Sequence, residues 1–418
     1  MNHLIKLIMV LFSLLLLTSC YDKVELEQQS YVIAIGIDKN EDKSTYSFTF
    51  QIANPEVGST LASAGSTEEA KETITVPGSD ILTATSIANS TVTKKIVLDH
   101  TKVIVASEKL AKSDDFLRII QSISRAPQIR GNVQIIVCKE DASEFLNNNH
   151  PTMEQRPHKY YQYMLQRGRQ TGLIPNADFH RFFQITEGDA DLFLAIYATT
   201  IKEKAKEHSI IGGHDYIAGQ IPQKGGNPTQ FIGSAVFKEG KMIDIFSGQE
   251  TRMSNVLDKT IQMNDLLTTY PDPIDPNYQV SVDYVQKTEP NVDIQYNKKT
   301  NHASIYVTVP FEVELIAIPS MVDYISNKDN QQKLRATIEE TTENIANKLI
   351  EKSQKVYGSD PFYWSLYIRK KFKDIPAYEK ADWNKNIYPN ATINVDFQLK
   401  RMSFGKMFND SKINEVRD

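Results

Sequence analysis

The chain has 418 residues, of which 40% are hydrophobic and 24% charged, with a formal net charge of −5. That length exceeds a single typical domain, and the balance is that of an ordinary soluble globular ectodomain. A mildly acidic surface argues against nucleic acid as a partner, and against anionic lipid held through charge alone.

Lys6 precedes an apolar run at 7–17. The run is shorter than the roughly 20 residues needed to cross a bilayer and fits the apolar core of a secretory signal. It ends in Leu17-Thr18-Ser19-Cys20, the lipobox pattern of an aliphatic residue, two small residues and cysteine. Small side chains let a peptidase reach the bond, and the thiolate accepts a diacylglyceryl group. Residues 1–19 are therefore expected to be a signal peptide and Cys20 a lipidation site tethering the chain to a membrane. An ordinary signal peptide with a chance cysteine, or an uncleaved anchor, is the alternative. Cys138 would then be the remaining thiol, so no intramolecular disulfide is expected. It closes the apolar run 133–138 and is expected to be a buried strand residue, not a reactive group.

Along the mature chain, 31–38 (YVIAIGID) predicts a buried strand and 45–53 an alternating one. Residues 54–73 lack apolar periodicity and predict a long mobile loop. A short helix is expected at 80–90 with Ile81, Leu82, Ile87 and neighbouring alanines inward, a strand at 102–106, and a helix at 114–124 with Phe116, Leu117, Ile120 and Ile123 inward. A strand at 131–138, a helix from Asp141 and an aromatic helix at 157–169 follow. Residues 178–190 are less regular. A boundary is expected near 198–213, then a hairpin at 231–246 and a helix from Gly248 through about Leu267. Residues 272–276 predict a Pro-broken linker, and 278–318 an antiparallel meander. The longest helix is expected at 329–356, with Leu334, Ile338, Ile345, Leu349 and Val356 on one face. An aromatic helix at 361–372 and a strand at 391–400 complete the pattern.

Alternating strands and helices favour mixed α/β (α+β) domains, each a mostly antiparallel or mixed sheet with packed helices. The expected division is 20–200, 201–275 and 276–405, with a tail at 406–418.

No HExxH, GxSxG, P-loop or zinc-type cysteine pair is present. His150, His158 and His180 lie at spacings no simple metal motif uses. Residues 187–191 (EGDAD) lack the alternation and terminal Glu of an EF-hand and predict a solvated turn. Asp99-His100 has no nucleophile to serve. No enzyme and no cofactor are expected. For a partner contact, Glu250 and Arg252 stand out, since they follow a strand and open a helix. An internal capping and salt-bridge arrangement is the alternative role for that strip.

Cys20-Tyr21-Asp22-Lys23-Val24-Glu25-Leu26, followed by the strand ending Gly36-Ile37-Asp38, resembles the start of Ger(x)C spore germination lipoproteins, the C subunits of nutrient germinant receptors. Tyr21 stands where Trp is more usual. The likeness continues through 98–105, 108–111, 125–130, 233–241 and Ser247-Gly248-Gln249-Glu250-Thr251-Arg252. It implies a non-enzymatic ectodomain of three α/β-type domains on the outer face of the spore's inner membrane. It also implies integral membrane A and B subunits as partners. The competing expectation is a solute-binding lipoprotein feeding a transporter, which would need two similar lobes around a polar cleft.

Overall fold

The computed structural model describes residues 3–5, 25–41, 45–54, 70–188, 191–203, 215–259 and 266–405. Apart from residues 3–5, the predicted signal lies outside these residues, as do the lipidation site Cys20, the tail at 406–418 and most of the predicted loop at 54–73.

The apolar run beginning at Tyr31 forms strand β1 (Gln29–Lys39), buried from Val32 to Asp38. Strands β2 (Tyr46–Ala53) and β3 (Lys71–Gly78) pair antiparallel beyond one edge of it. On the other side β5 (Val103–Ser107), β6 (Gln134–Cys138) and β7 (Phe193–Thr199) run parallel to β1, and β4 (Lys95–Val97) pairs with its first residues. The hairpin β8 (Gln230–Lys238) and β9 (Lys241–Phe246) then adds antiparallel to β7. The result among the described residues is a nine-stranded mixed sheet in the order β3-β2-β1-β5-β6-β7-β8-β9, with β4 on β1. Strands β5 and β6 are buried at every position. Such continuous apolar burial belongs to parallel strands covered on both faces.

The Gly-Ile-Asp ending of β1 has a structural cause. A Cβ at Gly36 would meet Leu146, Thr49 and Ala142 side chains at 3.0–3.2 Å, so glycine lets helix Ala142–Asn148 lie close on the strand. Two residues on, Asp38 accepts from the Ala142 and Ser143 amides at 2.7 and 3.1 Å and so caps that helix. Burial raises its pKa, against the lowering pull of those amides.

A second sheet is built from β10 (Leu266–Pro271), β11 (Gln279–Val285), β12 (Asn291–Asn297), β13 (His302–Ala317) and β14 (Thr392–Ser403), in the order β10-β11-β13-β12 with β14 parallel to β13. Along β13 every second residue from Ala303 to Leu315 is buried, the period-two signature of one face against a core. Helix Lys328–Lys352 supplies that cover through Leu334, Ile338, Thr342, Ala346, Leu349 and Ile350. Its Glu343 and Glu339 also accept from the Phe397 and Leu399 amides at 3.1 and 2.8 Å, occupying the β14 edge that would otherwise be unpaired.

The mixed α+β class holds, but the expected middle segment 201–275 has no sheet of its own among the described residues. Its hairpin completes the first sheet and its β10 opens the second. The predicted linker at 272–276 is a turn between paired strands, pinned by buried Asp272, which accepts from Ser320, Tyr324 and the Ile274 and Asp275 amides. The expected meander is broken because β11 pairs with β13 instead of β12. The last residues of the predicted 54–73 loop belong to β3. Residues 178–190, expected to be irregular, include helix Phe179–Gly188.

Helix Gly248–Leu257 ends ten residues earlier than expected. In helix Ile81–Ala88 the inward residues are Ile81, Ala84 and Ala88, while Leu82 and Ile87 are exposed, because Asp80 caps at the Leu82 and Thr83 amides and sets the phase. Val356 is exposed because the long helix widens into a π-turn at Ser353–Tyr357 and its face rotates.

Strands β7 and β8 are shared between the two cores. Phe193, Ala195, Ala235 and Phe237 belong to the first core, and the intervening Leu194 and Val236 to the second.

Candidate functional site

The strip following β9 is where sequence and structure meet. Ser247 takes the extended conformation of an N-cap, its hydroxyl accepts from the Glu250 amide, and the Glu250 carboxylate accepts from the Ser247 amide at 2.9 Å. This reciprocal capping box fixes the start of helix Gly248–Leu257. The same carboxylate pairs with Lys352 at 2.8 Å, joining this helix to the C-terminal end of the long one. Arg252, only 9% exposed, donates from Nε to the Thr171 carbonyl at 3.0 Å and from Nη1 to the Leu267 carbonyl at 3.3 Å. Asn255, one turn on, donates to the Gly172 and Ile174 carbonyls, both at 3.2 Å. Within the chain, Arg252 points inward and Glu250 remains partly exposed, and together they hold the helix to the 171–174 loop, to β10 and to the long helix.

Arg252 also lines a small cavity of about 50 Å³ between this helix, strands β10 and β11, and the long helix. Met253, Val256 and Ile345 form apolar wall, and Thr268, Tyr270 and Tyr284 add polar side chains from one face of the sheet. Tyr270 is hydrogen-bonded to Thr342 at 3.1 Å. The Tyr284 hydroxyl is buried with no hydrogen-bond partner among the described residues. Burial pushes Arg252 down to about 10, which leaves it charged at neutral pH. No carboxylate lines the cavity or pairs with this guanidinium among the described residues.

A second polar cluster lies where β7 meets the C-terminal half. Asp191, just before β7, forms a parallel bridge with Asp360, which follows the π-turn. Asp191 accepts from the Ser365 hydroxyl at 2.5 Å. Asp360 accepts from the Phe362 and Trp364 amides at 2.9 and 3.1 Å and from the Trp383 indole N–H at 2.8 Å. Both carboxyls are almost fully enclosed. Burial, followed by the Asp360 charge, raises the Asp191 carboxyl well above its ordinary value, and burial raises Asp360 as well. The solvated turn expected at 187–191 is thus wrong for Asp191. Nearby, Arg181 pairs with the buried Asp258, and the Trp364 indole N–H donates to the Leu257 carbonyl at 3.2 Å.

The other sequence candidates are dispersed. Among the described residues no group of His, Cys, Asp and Glu could hold a metal ion. Asp99 and His100 pair with each other at 2.7 Å in an exposed turn, with His100 edge-on to Tyr31. Cys138 is fully buried, and that burial raises its thiol pKa well above the ordinary value. The Asp191–Asp360 pair had no sequence signal, because its members are 169 positions apart and each sits in an unremarkable polar turn.

Comparison with known proteins gives a consistent result. Residues 22–199 match a family model described as the spore germination protein N-terminal domain. Residues 232–405 match one described as spore germination B3/GerAC like, C-terminal. Spore germination protein B3 of Bacillus subtilis (strain 168) is 22% identical over 403 residues, covering 96% of this chain and 98% of that protein. Spore germination protein KC of the same organism is 29% identical over 139 residues, covering 33% of this chain and 34% of that one. The crystal structure of the GerBC protein shares the fold, with a TM-score of 0.51 at 17% identity over 88% of this chain and 96% of that chain.

Proposed function

Since this chain belongs to the Ger(x)C family of spore germination proteins, we propose that it is the lipid-anchored, non-enzymatic C subunit of a nutrient germinant receptor. The observation that carries this reading is the match to spore germination protein B3 over nearly the whole of both chains. It is joined by the lipobox ending in Cys20. Two acyl chains at about 0.8 kcal/mol per buried methylene hold a protein on a membrane stably. None of the helices among the described residues is long and apolar enough to cross a membrane, so in this reading lipid supplies the attachment. Confinement beside integral A and B subunits on the outer face of the spore's inner membrane raises effective concentration without a strong interface. A solute-binding lipoprotein calls for two similar lobes, and the nine-stranded mixed sheet and the five-stranded sheet differ in strand order and direction.

The test is Cys20→Ala in spores that carry no other copy of the gene. The expected result is loss of lipid labelling, an unchanged circular dichroism spectrum for the purified chain, and nutrient-triggered germination reduced to a small residual rate. Normal germination by a protein shown to carry no lipid would overturn the anchoring mechanism.

A further inference from the structure

We propose that the cavity beside Arg252 binds a small organic carboxylate, whose oxygens pair with the guanidinium while its short apolar body lies against Met253, Val256 and Ile345. The inference is independent of the receptor reading, since binding is measured on the purified chain.

Three observations carry it. First, Arg252 is a buried cation with no carboxylate opposite it among the described residues. Guanidinium has five N–H donors. Two are spent on the Thr171 and Leu267 carbonyls, which leaves the second hydrogen of Nη1 and both of Nη2. Those two nitrogens form the planar fork that matches a carboxylate bidentately. Second, the Tyr284 side chain, 4% exposed, lines the same cavity, and its hydroxyl has no hydrogen-bond partner among the described residues. Burying a donor without an acceptor is costly, and native interiors seldom do it. A carboxylate oxygen would satisfy the cation and a hydroxyl together. Third, a cavity of about 50 Å³ is several times the smallest that holds a water, yet well below the roughly 150 Å³ of one that admits benzene. That size suits a ligand of a few heavy atoms.

The lining also selects within the class. Among the described residues it contains one cation and no Asp or Glu, so the ammonium of a free amino acid would find no carboxylate among them. A divalent sulfate or phosphate would keep uncompensated charge. A monocarboxylate such as propionate meets both limits.

The full chain, purified in detergent, is titrated with sodium propionate by calorimetry, with chloride, sulfate and glycine as controls. Saturable one-to-one binding of propionate is expected, with the three controls at least about tenfold weaker. Arg252→Lys keeps the charge but lacks the fork and is expected to weaken propionate binding about tenfold or more. Tyr284→Phe is the decisive variant because it moves two readouts in opposite directions. Removing an unpartnered hydroxyl should raise the ligand-free melting temperature by about 2–4 °C, while propionate affinity falls by about fivefold. If Arg252→Lys does not fold, Tyr284→Phe alone decides. The proposal is overturned by absence of saturable propionate binding, by controls that bind equally well, or by Tyr284→Phe binding propionate as wild type does.

Discussion

Replacing Asp360 by asparagine exchanges one oxygen for an amide nitrogen, and the structure says why that exchange should cost far more than the same change at Asp191. Asp360 accepts from two backbone amides and from the Trp383 indole. Asparagine can keep one oxygen for the two amides, so the Trp383 indole N–H would face an NH₂ group in a site sealed from water. Hydrogen bonds to charged groups contribute about 1.5–3 kcal/mol each, and an orphaned buried donor costs about 1–3 kcal/mol. Asp360→Asn should therefore lose about 3–5 kcal/mol. Asp191 accepts from Ser365 and lies beside Asp360. An asparagine there keeps an oxygen for Ser365 and offers its NH₂ toward Asp360, at a cost of about 1 kcal/mol.

The pair also makes a signed pH prediction. An unfolded aspartate titrates at about 3.9, whereas Asp191 in the folded chain holds its proton well above that range. The folded state therefore keeps a proton that the unfolded chain has released. The contribution from this group is complete below about pH 4 and is lost as pH rises through its folded-state pKa. Urea midpoints for wild type and Asp191→Asn between pH 5 and 8 test this. The variant, which has no such proton, should gain on wild type with rising pH by up to about 1.4 kcal/mol per unit until the folded pKa is passed. A difference that stays flat across the range would refute the raised Asp191 pKa, and equal costs for the two asparagine variants would refute the part given to the Trp383 indole.

Gly233→Ala should destabilise by about 2–4 kcal/mol in the same assay, since φ is +90° there and a Cβ would sit 2.4 Å from the Phe246 carbonyl oxygen. A melting temperature within a degree of wild type would contradict it. Cys138 should resist a thiol reagent in the folded chain and react only as urea unfolds it, because its thiol is buried and its pKa raised; rapid native labelling would show a local opening. A fragment ending at residue 203 should be insoluble or bind a hydrophobic dye, because it strips β8 from β7. A soluble fragment with sharp thermal unfolding would show that the first sheet closes without the hairpin.

Where apolar periodicity was strong, the elements were readable from sequence. The runs at β1, β2, β6, the 231–246 hairpin and the long helix announce themselves by burial pattern alone. β3 was missed because KETITVPG alternates polar with apolar residues directly after a segment of no periodicity, and its strand character comes from pairing with β2 along its whole length. The boundary expected near 198–213 falls in the gap between the two family modules, 22–199 and 232–405, yet the chain crosses it within one sheet. A charged run and a Gly pair mark a loop, but a loop can leave a sheet and return to it. Nothing local reveals that β8 comes back to pair with β7. The site was less legible still. Charge at the start of a helix suggested an exposed contact, whereas Arg252 is drawn inward by the Thr171 carbonyl, 81 positions away.

The strip Ser247-Gly248-Gln249-Glu250-Thr251-Arg252, which resembles the family's pattern, thus answers to architecture before anything else. Ser247 and Glu250 start a helix, Thr251 is hydrogen-bonded to Ser234 of β8 at 2.7 Å, and Arg252 ties the 171–174 loop to β10. Every one of these bonds lies within or beside the wall formed by β7, β8 and β9, whose two faces serve different cores. A wall of that kind cannot shift for one core without disturbing the other, because interiors packed at crystal-like density transmit displacement. The two family modules meet between residues 199 and 232, at the connection from β7 to β8. They are therefore joined not by a hinge but by main-chain pairing along the sheet.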